Sequence, residues 1–360
     1  YNIMFSGVFG RLFEGHMTML WKYLQEIAIL LALALALTPA FKMKFWNLGG
    51  NGQILMGGLA AIVCDFYLGG KVPETLLIVL VVLSSMVAGA LWAAIPAICK
   101  VFWNTNETLF TLMLNYIASG LVSFFIALWS KNGSGICPNI TFGKLPVLFG
   151  EKLLLAILFG AVVTTIITIY LKFSKQGYEL SVVGDSPNTA KYIGINVKKV
   201  VIRTLVISGA ICGLVGLILT SGLGNDYNKI SSETASNLGF TAIMTTWLAN
   251  CNPLFAILTC LLNTFVTKGV VDGVRQNFGM NNDSISNLVI GIVYFFIIAC
   301  AFFTQYKIVF NPKTQALIDK LLKPFKWLID KIKKGISFVI DKIKGLFIKK
   351  ESPTLEIGPS

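Results

Sequence analysis

Phe45-Trp46-Asn47-Leu48-Gly49-Gly50-Asn51-Gly52-Gln53 stands as a break between two apolar stretches. Upstream, residues 27–41 are uncharged and rich in Leu and Ala, with Ala28, Ala32 and Ala36 four apart; downstream, 53–68 carries Gly57, Gly58, Ala60 and Ala61. Amides and glycine turns persist at membrane depth only where protein or a water-filled cavity satisfies the backbone. Two readings fit the break: an interfacial turn, or a broken helix beside a solute path. Composition agrees that a bilayer is involved. The 360 residues are 55% hydrophobic and 13% charged, with a mean hydropathy of +0.74, which excludes an ordinary soluble domain. Pro39 and Lys42 close the upstream run after 15 residues, fewer than the ~20 that a crossing needs. A tilted or partly enclosed helix is expected there, its alanines letting a neighbour approach.

Working outward, six uncharged runs of at least 20 residues can be counted. The firmest expected spans are 75–98, 108–129, 153–171 and 204–222, and a last one is expected over 285–303. Residues 234–267 are uncharged for 34 positions but contain Ala249-Asn250-Cys251-Asn252-Pro253, and proline disfavours helical geometry in the residue before it. Two short helices, about 239–250 and 253–267, fit better than one long rod. The expected fold class is therefore all-α: a polytopic transmembrane bundle with broken or short helices.

Charge sets the orientation. The loop 172–203 carries Lys172, Lys175, Lys191, Lys198, Lys199 and Arg203 against Glu179 and Asp185, a net of +4, which places it in the cytoplasm. Crossings counted from there bring the tail inside as well, where twelve bases face five acids beyond Phe303. A single crossing through 234–267 would strand that charge outside, so the bias supports the broken pair. Counted backwards, Lys42 and Lys44 fall inside and Arg11 and Lys22 outside, an assignment that calls for a further span upstream of Tyr1.

Within the loop lies Val183-Gly184-Asp185-Ser186-Pro187-Asn188-Thr189-Ala190-Lys191-Tyr192-Ile193-Gly194-Ile195-Asn196. Asp185 or Ser186 suits the N-cap, Pro187 the first turn and Gly194 a left-handed stop. So brief a helix is not stable alone. Tyr192 and Ile193 give it an apolar patch beside Lys191, to dock on a cytoplasmic partner subunit or to rest on its own bundle. Downstream, Gly209 and Gly213 form a small-residue seam for close helix contact.

Catalytic chemistry is missing. Neither Gly70-Lys71 nor Gly143-Lys144 has the spacing of a phosphate-binding loop, and one histidine, His16, builds neither a zinc site nor a Ser-His-Asp arrangement. The seven cysteines show no paired spacing. Asp65 sits near a helix end, where it can snorkel or cap. Glu107 and Asn106 open the span at 108, with a carboxylate favoured at a helix N-terminus. Asn115, deeper in, needs a partner on a neighbouring helix or on a polar solute. Trp92, Tyr116 and Trp247 serve as packing aromatics or as rings for a solute. Asn51, Gln53, Asn106, Glu107, Asn115, Tyr116 and Trp247 are the candidate pathway residues.

Taken together, the break, Asn106-Glu107-Thr108-Leu109-Phe110-Thr111-Leu112-Met113-Leu114-Asn115-Tyr116-Ile117-Ala118 and Gly184 to Asn196 resemble the membrane permease subunits of bacterial ABC importers, in the simple-sugar branch and nearest the nucleoside permeases. The first motif looks like the family's Phe-Asn-Ile-Gly-x-Glu-Gly-Gln signature, with Asn51 in place of the acid. The resemblance runs from about Tyr1 to Phe303 and implies a permease domain over 1–304, with the cytoplasmic coupling loop 172–203 inside it. It further implies that Asp185, Pro187, Asn188, Ala190, Lys191, Tyr192, Ile193 and Gly194 seat on an ATPase subunit. ATP and Mg would be bound by that partner, with no cofactor on this chain. A second permease subunit, alike or different, an external solute-binding protein and lipids are the other implied partners, in the bacterial cytoplasmic membrane. The expected function is nucleoside import; alternatives are a ribose- or galactose-type ABC permease and an ion-coupled secondary transporter.

The remainder, 305–360, looks additional to that fold. Leu317-Ile318-Asp319-Lys320, Leu328-Ile329-Asp330-Lys331 and Val339-Ile340-Asp341-Lys342 recur every 11 residues, keeping one apolar face along a helix interrupted at Pro324 and Gly335. Lysines beside that stripe suit an anionic inner leaflet; the runner-up is a helix lying on the ATPase or a second permease. Nucleic acid is not expected, because no recognition fold accompanies the charge.

Overall fold

The computed structural model describes residues 17–130, 137–147, 151, 153–222 and 227–278, together with 288, 291–296 and 299. The chain forms α1 (Met17–Lys42), α2 (Gly50–Leu68), α3 (Glu74–Trp103), α4 (Glu107–Trp129) and α5 (Leu154–Phe173). Then come α6 (Lys175–Asp185), α7 (Pro187–Tyr192), α8 (Val197–Ser221), α9 (Leu238–Leu248) and α10 (Pro253–Phe278). Six of these, α1 to α5 and α8, are long and apolar enough to cross a membrane. Among the described residues the extended pairing is an isolated bridge between Ile140 and Asn228. The protein is a multi-pass, all-α membrane bundle.

The stretch that looked short belongs to the most buried of these six helices. α1 runs for 26 residues, carrying Lys22 and Glu26 in its first half and passing through Pro39 in its last turn. The charged first half therefore belongs to the same helix as the apolar run, and proline sheds one helical bond without ending it. Its residues 32–37 are fully buried. In contrast, α3, α4 and α5 bury only 28% of their most apolar windows and turn Leu91, Met113, Leu128 and Ile166 outward. In lipid an outward apolar face carries no penalty, so burial here tracks position in the bundle and not polarity.

Glycine decides how closely α8 lies against its neighbours. A methyl group on Gly57 would run into the backbone of Gly213, one on Gly216 into the carbonyl of Ile54, and one on Gly209 into that of Gly89. The seam expected at Gly209 and Gly213 is thus a backbone contact of α8 with both α2 and α3. α8 also starts seven residues earlier than the expected span, capped by Asn196, whose Oδ1 accepts from Lys199 N at 3.1 Å. Lys198, Lys199 and Arg203 accordingly lie in the first two turns of a spanning helix and are not loop residues.

α9 and α10 are the expected broken pair. Asn250 and Cys251 both adopt left-handed backbone at the bend, with φ of 50° and 54°. α10 then returns along α1, where Lys268 pairs with Glu26 at 2.8 Å. The bundle belongs to a compact unit that closes at Phe295, and a second unit begins at Phe296. The expected last span is helical at 288, 291–296 and 299; its other positions and the basic tail lie outside the described residues.

Candidate functional site

α1 ends where Lys44 takes a left-handed backbone (φ 60°), and residues 45–49 cross to α2 without helical bonding of their own. α2 begins without a side-chain cap: its N-cap is Gly49. The missing partners come from α4, more than sixty residues away. Asn115 Oδ1 accepts from Gly52 N at 2.8 Å, and Asn115 Nδ2 donates to Leu48 O at 2.9 Å. One turn earlier, Thr111 Oγ1 accepts from Leu48 N at 3.1 Å while donating to Glu107 O at 2.7 Å. Residues four apart share one helix face, so a single face of α4 clamps the break. Asn47 closes the turn by accepting Gly49 N at 3.0 Å.

The same device recurs at α9. Ser236 and Asn237 precede it with positive φ, and neither supplies a side-chain cap. Asn51, from the first turn of α2, accepts Gly239 N at 2.7 Å. Gly50 permits this approach, since a Cβ there would stand 3.3 Å from Gly239 Cα. Farther along, Thr246 Oγ1 donates to Ala34 O at 2.9 Å and ties α9 to the middle of α1.

Of the candidate pathway residues, Asn51, Gln53 and Asn115 come together with Asn47, Thr111 and Trp92 in one cluster around the start of α2. Asn47 and Gln53 are 0% and 1% exposed, and no ionisable side chain belongs to the cluster. Three of its polar atoms, Asn47 Nδ2, Gln53 Oε1 and Trp92 Nε1, are buried without a hydrogen-bond partner. Asn106 and Glu107 stand a turn away in structural roles. Asn106 caps α4 through Thr108 N and Leu109 N, and Glu107 pairs with Lys100 at 2.7 Å. Tyr116 faces outward, 68% exposed. Trp247 meets Trp46 edge to face at 4.8 Å, both partly exposed, beside the break. Sequence reading assigned no role to Asn47, Thr111 or Trp46; Thr111 stands four positions before Asn115, which is the signal that marks it.

A second region is the short helix α7. Ser186 is its cap, accepting Thr189 N at 3.3 Å, with Pro187 in the first turn and Gly194 left-handed at φ 84°. Ala190 is its buried residue, while Asp185, Pro187, Asn188, Lys191, Tyr192, Ile193 and Gly194 are exposed, Tyr192 by 90%. The apolar pair therefore does not rest on its own bundle. α6 holds α7 in place: Glu179 pairs with Arg203 of α8 at 3.2 Å, and Gly184 lies directly on the carbonyl of Lys42 at the end of α1.

Asp65 neither snorkels nor caps. It is 1% exposed at the opposite end of α2, where its Oδ2 accepts Asn228 Nδ2 at 2.9 Å and Gly143 closes over its Oδ1. Asn228 also donates to Phe142 O at 2.9 Å, so the segments on either side of the Ile140–Asn228 bridge are fastened to the helix end. A buried carboxylate tends to recruit such a donor.

Comparison with known proteins adds to this geometry. Residues 19–298 match the family described as branched-chain amino acid transport system / permease component. The chain is similar to the nucleoside ABC transporter permease protein NupB of Lactococcus lactis, 28% identical over 82% of both chains. It is also similar to the guanosine ABC transporter permease protein NupP of Bacillus subtilis, 27% identical over 73% of this chain and 75% of that one. The glucose ABC transporter permease protein TsgB13 of Haloferax volcanii is 27% identical over 79% of this chain and 77% of its own.

Proposed function

The chain belongs to the branched-chain amino acid transport system / permease component family, and from that premise we propose that this ABC permease imports nucleosides across a bacterial cytoplasmic membrane. The observation that carries the substrate class is the uncharged, amide-lined break between α1 and α2, in a chain similar to NupB and NupP. A neutral polar solute matches neutral donors and acceptors, whereas an amino acid's charged ends would need opposite charges in the site.

In this reading α7 faces the cytoplasm and seats Tyr192 and Ile193 on an ATP-binding partner, which holds ATP and Mg. Closure of that partner pushes α7 and α6, and Gly184 hands the displacement to the end of α1. The break then shifts together with α4, which clamps it, and α9, whose first turn Asn51 caps, and access alternates between the two faces. A solute-binding protein delivers cargo at the opposite end, where the Asp65–Asn228 fastening lies. A second permease subunit completes the path, and the tail 305–360 lies against the inner leaflet.

Likeness to TsgB13 favours a second reading, a simple-sugar permease. Competition uptake in vesicles separates the two: labelled nucleoside should be displaced by unlabelled nucleosides and not by ribose, galactose or glucose. Preference for a free sugar would overturn the substrate while leaving the permease. Uptake that survives ATP depletion on an ion gradient alone would overturn the ATP-driven mechanism.

A further inference from the structure

Three unpartnered polar atoms gather where α2 begins, and their orientation is fixed. Asn47 Oδ1 is occupied twice, by Gly49 N at 3.0 Å and by Gln53 Nε2 at 3.4 Å. Turning either amide over would set like against like, so Asn47 must present Nδ2 and Gln53 must present Oε1. Both atoms are buried and unmatched. Trp92 Nε1, a donor and nothing else, is the third; it stands 3.0 Å from where a Cβ on Gly52 would lie, and Asn115 Oδ1 stands 2.9 Å from the same point. Asn115 is already committed to the backbone. What remains unsatisfied is two donors and one acceptor, all neutral.

Buried polar groups are nearly always paired, and each exception calls for a cause. Asn115 and Thr111 spend their polar atoms on the break itself, whereas these three atoms are left over beside it. We infer that Asn47, Gln53 and Trp92 read the base edge of the solute, taking a nucleobase whose ring N–H stands beside at least one carbonyl oxygen. Gln53 Oε1 accepts the ring N–H, while Asn47 and Trp92 donate to the two carbonyls of a uracil-type edge, or one of them to the single carbonyl of a hypoxanthine-type edge. Two donors against one acceptor favour such an oxo-base edge over an amino-bearing one, which would set N–H groups against N–H groups. Gly52 has no side chain because a Cβ would crowd Trp92 Nε1 and Asn115.

This inference rests on the nucleoside reading, and the experiment keeps the two apart. Permease assembled with its ATP-binding partner in nanodiscs, without the solute-binding protein, is titrated with uridine, 3-methyluridine, cytidine, inosine and 1-methylinosine. Uridine or inosine should bind at least about tenfold more tightly than its ring-methylated counterpart, and uridine more tightly than cytidine, because a site built for an N–H is left with an unpaired group. Gln53→Met should bring each methylated pair within about twofold. Trp92→Phe, which keeps an aromatic ring but no donor, should weaken parent and methylated nucleosides alike by severalfold, since both keep the carbonyls, and leave their ratio near the wild type's. Equal binding of methylated and parent nucleosides by the wild type, a ratio untouched by Gln53→Met, or affinities untouched by Trp92→Phe, would overturn the inference and leave the three atoms as ligands for water. Failure of the complete transporter to take up any nucleoside would instead overturn the function it rests on.

Discussion

Asn115→Leu removes the clamp on the break while nearly preserving volume. It strands Gly52 N and Leu48 O, which Asn115 holds at 2.8 and 2.9 Å. An orphaned buried group costs about 1–3 kcal/mol in a soluble interior. Interhelical bonds inside bilayers average nearer 0.6 kcal/mol, because the chain separated in lipid also finds partners. Two lost bonds therefore span about 1–6 kcal/mol, and leucine gains little in return, since lipid is as apolar as the bundle. With roughly 2–4 °C per kcal/mol for a chain of this size, a loss of about 2–3 kcal/mol lowers the temperature of half-inactivation by on the order of 5–10 °C. The assay is residual monodisperse protein after a heat step in detergent, beside nucleoside uptake by the assembled transporter. Tyr116→Leu is the control, one position along and outward-facing. If Asn115→Leu stayed within about 1 °C of the parent, or if Tyr116→Leu fell as far, the clamp would not be what holds the break.

Asn51→Leu should strand Gly239 N at the start of α9 and lower the same temperature by a few degrees, whereas Asn51→Asp keeps the acceptor and should retain more of it; equal losses would discount the cap. Gly213→Ala should abolish recovery of folded permease, because its methyl meets the Ser85 backbone; Gly120→Ala, with open space around it, should be neutral or stabilising by roughly 0.5–1 kcal/mol. Tyr192→Ala with Ile193→Ser should release the ATP-binding partner in co-purification without changing the permease's own heat stability, since both side chains are exposed. A cysteine at Lys191 should escape a membrane-impermeant thiol reagent in intact cells and react after permeabilisation. Cys137, in the segment at the other end, should stay quiet near neutral pH, because burial pushes its thiol above the usual range despite a bond with the Ile230 backbone.

Features set by neighbours along the chain were legible beforehand. Ser186, Pro187 and Gly194 each act through groups within a few positions, so the short helix α7 could be placed residue by residue. The bend before Pro253 is local for the same reason. What escaped are pairings across the molecule: Asn51 with Gly239 is 188 positions apart and Asp65 with Asn228 is 163. An amide carries no periodicity that points to its partner, so Asn115 fitted a helix contact or a solute until Leu48 and Gly52 were seen beside it. α1 was undersized for a related reason. Counting from the nearest charge treats Lys22 and Glu26 as boundaries, yet a helix whose first turns reach the bundle's surface can carry both there and continue into the core. Glu26 finds Lys268, a partner that only the return of α10 supplies.

The meeting of Gly184 with the Lys42 carbonyl has a mechanical meaning of its own. Two main chains in direct touch leave no flexible side chain between them to soak up a small displacement, so the joint behaves as a stiff pushrod with almost no slack. Any residue with a β-carbon at 184 would wedge the pushrod away from its seat, and on the proposed docking of α7 the expected casualty is the link between fuel consumption and cargo movement: a transporter that still splits ATP and carries nothing.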